Sequence, residues 1–154
     1  MRLSTFALSL GATLIGSPAH AQASDTLRPV TLPGAHCRSG SAAAADTVFG
    51  REDVDSLPDL KSLGGMIHFP ESIHGAPPGY TLLRFIVRKN GRVDPCHVWI
   101  LHETSPAWTT SVLEALNRFR FSAARRQGVA VSTAIEQRFD YRTTDGATVA
   151  PRPN

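Results

Sequence analysis

The sequence predicts an α+β fold: a three-stranded antiparallel sheet with one helix packed on a face, in the order β-β-α-β. Three observations predict it. An alternating apolar segment at residues 80–89 runs into Asn90-Gly91 and then into a returning apolar run. Ser105-Pro106 opens a stretch with apolar residues at helical spacing. Residues 129–141 then alternate again with a period of two.

In the first strand, Leu83, Phe85 and Val87 share one face. The other face carries Tyr80, Leu82, Arg84, Ile86 and Arg88 and is only half apolar. Asn90-Gly91 is a strong hairpin signal, because both central positions of a type I′ turn need positive φ. The returning strand covers residues 92–102. Val93 is out of step with Cys96, Val98 and Ile100, which predicts a bulge near Asp94-Pro95. Pro95 cannot donate to a ladder, so this strand belongs at an edge.

Ser105 then acts as helix N-cap with Pro106 at the first helical position. Trp108, Val112, Ala115, Leu116 and Phe119 form one apolar stripe. After Gly128, the positions Val131, Thr133, Ile135, Phe139 and Tyr141 alternate with Ser132, Glu136, Arg138 and Asp140, as in a half-buried strand. A helix returning antiparallel to the second strand leaves the third to pair with the first. The spatial order is therefore 2-1-3, with the third strand at the other edge. Phe119 and Phe121 anchor the corner after the helix, while Arg118, Arg120, Arg125 and Arg126 face water.

Outside this unit the chain reads differently. Arg2, a short apolar run at residues 6–15 and Ala19-His20-Ala21 make residues 1–21 a signal peptide. The run is too short to span a bilayer. A soluble periplasmic chain starting near Gln22 is expected, with no integral membrane segment once mature. Residues 22–65 read as an irregular, linker-like segment containing "SGSAAAAD" and, in "SLPDLKSLGG", one helical turn stopped by Gly64-Gly65. The folded domain covers 66–142, and 143–154 form a flexible tail.

The net charge of +3 and pI of 9.3 are mildly basic. For an exported chain this argues against a nucleic-acid partner. Cys37 and Cys96 are the only cysteines. In an oxidising compartment a disulfide between them closes a loop of about 60 residues, worth about 4 kcal/mol in the chain-entropy model. The alternative is two unpaired thiols, with Cys96 filling core space. Zinc is not expected, since Cys96 and His97 are neighbours on a strand and point to opposite faces. The chain has no Gly-x-Ser-x-Gly, His-Glu-x-x-His or phosphate loop. It is expected to be neither an enzyme nor a cofactor carrier.

The segments "HFPESI", "LLRFIVRKNGRVDPCHVWILHETSP" and "SVLEALNRFRFSAARRQGVAVSTAIEQRFDY" together resemble the C-terminal domain of the TonB energy-transducer family. The shared features are an aromatic-Pro-Glu opening, a strand followed by x-Gly-Arg-Val, and a helix entering an aromatic-Arg-Phe corner. A small-residue connection then leads to the last strand. The likeness covers residues 69–141 and implies a freestanding, exported form lacking the membrane anchor. Family members bind a short extended segment of outer-membrane transporters by strand addition. The resemblance places that site on the last strand, at Ser132, Thr133, Ala134, Ile135, Glu136, Gln137 and Arg138. An outer-membrane transporter peptide or another β-strand ligand is the partner it implies, in TonB-linked transport. The alternative is a structural envelope protein that forms a homodimer through the same strand.

Overall fold

A computed structural model describes residues 27–37 and 46–142. The expected signal peptide and tail lie outside the described residues. In chain order the strands are β1 (Arg28–Val30), β2 (Val48–Phe49), β3 (Leu60–Ser62), β4 (Gly79–Val87) and β5 (Val93–Glu103). The helix α1 (Pro106–Leu116) follows, then β6 (Arg120–Phe121), β7 (Ala124–Arg126) and β8 (Val129–Tyr141). Among the described residues no helix is long and apolar enough to cross a membrane.

The expected fold class, three antiparallel strands under one helix, is incorrect. The sheet has six strands, with β1, β5, β4, β8 and β2 side by side and β7 also paired with β8. It is mixed, because β2 runs parallel to β8. A separate ribbon joins β3 to β6. The three long strands do lie in the order β5-β4-β8. The strands the sequence did not announce are two or three residues long, too short to carry a period. β1, β2 and β7 form because the long strands leave rows of unpaired N–H and C=O groups that a nearby extended segment can satisfy, while β3 and β6 satisfy each other.

Three of these additions come from the segment read as linker. β1 pairs with β5, so the strand holding Pro95 is not an edge. β2 covers Ser132 and Thr133 of β8. β3 stands where one helical turn was expected, because pairing with β6 holds it extended. Leu32, just after β1, is buried in the core with 1% exposure.

The turn chemistry also differs from expectation. The Arg88 N–H donates to the Arg92 carbonyl and the Gly91 N–H to the Arg88 carbonyl, each at 2.8 Å. Gly91 has φ 74°, whereas Asn90 keeps negative φ. This is a three-residue loop with one left-handed residue, not a type I′ turn. The two-residue turn with both φ positive lies instead at Gln127 (50°) and Gly128 (76°), between the paired Arg126 and Val129. Gly91 is fixed by packing as well. A Cβ there would run into the Phe121 carbonyl oxygen, and the Phe121 N–H donates to the Gly91 carbonyl at 2.9 Å. The hairpin tip is thereby joined to the aromatic corner.

The core lies between the sheet and α1. Leu83, Phe85 and Val87 are fully buried against the stripe of Trp108, Val112, Ala115, Leu116 and Phe119. The Ser105 hydroxyl accepts from the Trp108 N–H and caps the helix. Deep in the interface the Thr81 and Thr109 hydroxyls share a hydrogen bond of 2.7 Å. The Trp108 indole N–H donates to the Phe139 carbonyl at 3.0 Å, tying the helix to β8. Phe119 and Phe121 are both buried, as the corner requires. Arg120 is half-buried instead of solvated, because its guanidinium donates to the Phe119 and Asn117 carbonyls at the helix end.

Candidate functional site

The direction of each backbone group on β8 follows from the hairpin. Arg88 donates to Arg92, and both backbone groups of Tyr80 face Thr104 after β5. Even-numbered residues of β4 therefore turn their N–H and C=O groups toward β5, and odd-numbered ones toward β8. The register pairs Phe85 with Ile135, Leu83 with Gln137, Thr81 with Phe139 and Gly79 with Tyr141. Odd residues of β8 thus bond to β4. Ala134, Glu136, Arg138 and Asp140 turn their backbone groups away from it.

On that outer side β2 pairs with Ser132 and Thr133, while β7 pairs with Val129–Val131 beyond the end of the β4 ladder. On the side away from β4 no described strand lies beside residues 134–141, a stretch of about 26 Å at the usual rise of a strand. One of its acceptors is already engaged: the Gln137 side-chain amide donates to the Arg138 carbonyl at 3.1 Å.

The residues implicated by the sequence therefore divide. Ser132 and Thr133 are buried, and the Ser132 hydroxyl accepts from the Lys89 N–H at 3.1 Å. They brace the strand and are not available to a guest. Ala134, Ile135, Glu136, Gln137 and Arg138 lie on the open stretch, which continues to Tyr141. Glu136 and Arg138 project from the sheet face, where they are matched. Glu136 pairs with Arg84, and Arg138 pairs with Asp140 while stacking 3.8 Å from the Tyr80 ring centre. These pairs are substantially exposed and each contributes roughly 0–1 kcal/mol. They neutralise the face without obstructing the plane of the sheet.

The expected disulfide between Cys37 and Cys96 is present, with Cα atoms 5.6 Å apart. It points to an oxidising, extracytoplasmic compartment. It also occupies both thiols, so neither is available as a zinc ligand or a nucleophile.

A polar cluster escaped the sequence reading. Asp94 is fully buried at the bulge, and its Oδ1 accepts from the Cys96 N–H at 3.0 Å. Its Oδ2 lies 3.0 Å from Arg88 Nη2 and 3.1 Å from His97 Nδ1. Neither contact has hydrogen-bond alignment, so the link to Arg88 is one of charge. The bulge at Asp94-Pro95 was legible from the broken alternation, and the ladder skips from Val98 to Val93 there. The carboxylate's part in shaping it left no periodic signal.

No protein-family model and no curated protein matches the chain.

Proposed function

We propose that this chain is an exported, TonB-like binding module that captures an extended peptide by strand addition to residues 134–141 of β8, in the periplasm. One observation carries the reading: four consecutive outward backbone positions, from Ala134 to Asp140, beside which no described strand lies. Main-chain hydrogen bonds would supply the affinity, and pockets along the edge the preference for sequence. The motif order shared with TonB C-terminal domains supports the choice of an outer-membrane transporter segment as guest. The family's three-stranded fold does not, since this sheet is larger. A guest must displace the Gln137 amide from the Arg138 carbonyl.

The second reading, a homodimer through β8, is favoured by charge order. Antiparallel self-pairing centred on Gln137 sets Glu136 opposite Arg138 of the second copy, twice. Titrating a labelled N-terminal transporter peptide into the protein, followed by anisotropy, tests the first reading. Sedimentation equilibrium at the same concentrations tests the second. A saturable signal on a monomer supports capture; a dimer that ignores the peptide overturns it.

A further inference from the structure

The opposite edge of the sheet also accepts a strand, and here the chain supplies its own. On β5, Trp99 pairs toward Arg84 of β4, so Val98 and Ile100 turn their backbone groups outward. β1 meets them there, with Val30 opposite Val98 and Arg28 opposite Ile100. Pro29, which has no N–H to give, sits opposite Trp99, where none is needed.

The fit has a pattern. Arg28, Val30 and Leu32 alternate, and they have three different anchors. The Arg28 guanidinium pairs with Glu103. Val30 packs against the core, and Leu32 is buried within it. The Leu32 N–H continues the pairing by donating to the Pro95 carbonyl at 2.9 Å. Yet β1 is three residues long and largely exposed. Five residues past Leu32, Cys37 is bonded to Cys96, on the same β5 strand that β1 covers. Cys37 is exposed and Cys96 half-exposed, so the bond is open to attack by a thiolate.

We propose that the outer edge of β5 is a second strand-accepting site, held shut by β1 and latched by the Cys37–Cys96 disulfide. Reduction opens it to an extended peptide with a basic residue followed by aliphatic residues at the second and fourth positions beyond. The reductant is a protein dithiol of the thioredoxin class. It transfers two electrons and two protons, leaving thiols on Cys37 and Cys96 and a disulfide on itself. With the latch gone, β1 is held by Arg28, Leu32 and a few main-chain bonds, and competes with a guest as a tethered ligand. This inference stands whether or not β8 captures a peptide, because it concerns the other edge.

The test uses the full chain, oxidised and reduced, with amide hydrogen exchange and a labelled peptide of residues 27–33 as probe. In the reduced protein the amides of Val98 and Ile100 should exchange about tenfold faster or more through a local opening, and well ahead of those of Phe85 and Val87, which exchange only with global unfolding. The probe should bind the reduced protein and not the oxidised one, and Leu32→Ala in the probe should abolish binding. A Cys37→Ser, Cys96→Ser double variant should behave like the reduced protein without any reductant. Unchanged exchange at Val98 and Ile100 would overturn the latch. Equal exchange at Val98, Ile100, Phe85 and Val87 in the reduced protein would also overturn it, since the disulfide would then act only as a staple of the whole fold.

Discussion

Gly91 and Gly128 show how much a single residue's surroundings decide. Both have left-handed φ, 74° and 76°. A methyl group on Gly128 would meet open space, whereas on Gly91 it would enter the Phe121 carbonyl. Gly128→Ala should therefore cost only the backbone penalty of about 1–2 kcal/mol. Gly91→Ala should cost clearly more, because the hairpin tip must also move off the corner. Urea unfolding of the two variants measures the difference. Equal losses would mean that the tip and the corner are not joined. Trp108 makes the complementary case in the core. Trp108→Ala should cost about 3–5 kcal/mol by emptying the space under the sheet and removing one of the donors to the Phe139 carbonyl. Asn90-Gly91 illustrates what the sequence conveys at this scale. The dipeptide announces a turn, but which positive φ values it takes depends on Phe121, thirty residues away, and no local pattern encodes that.

At the scale of elements, β8 yields the sharpest contrast. The N–H of Ile135 is committed to β4, while that of Ala134 points outward. Ile135→Pro should break the central ladder and lower stability by about 3 kcal/mol or more. Ala134→Pro should lower the thermal midpoint by only a few degrees while abolishing peptide capture. Thermal unfolding with peptide titration separates the two effects. An Ala134→Pro variant that binds as tightly as the parent removes the edge from the account. The long elements were legible because each repeats a period several times: Leu83, Phe85 and Val87 on β4, the Trp108 stripe on α1, and the odd residues of β8. β1, β2, β3, β6 and β7 were not. Val48-Phe49 is two residues long, and its strand conformation comes from a neighbour far along the chain. The site was half legible for the same reason. Alternation located the strand, but the cover over Ser132 and Thr133 depends on β2.

On the scale of the whole molecule, residues 27–37 and 46–62 act as a belt. They add β1 to one edge of the sheet and β2 to the other, and the disulfide fastens the first of these. Removing both thiols should lower stability by about 2–4 kcal/mol, as measured by denaturant unfolding without reductant. A smaller loss would mean that the belt holds without its clasp. The belt leaves one long stretch of backbone outside its cover, residues 134–141, and the proposed function rests on that stretch. Residue-resolved amide exchange, with and without a saturating transporter N-terminal peptide, tests it most directly. Strand addition predicts slowed exchange at Glu136, Arg138 and Asp140 and no change at Ile135, Gln137 and Phe139, already bonded to β4. Protection falling elsewhere, or on none of these residues, would contradict capture at the β8 edge.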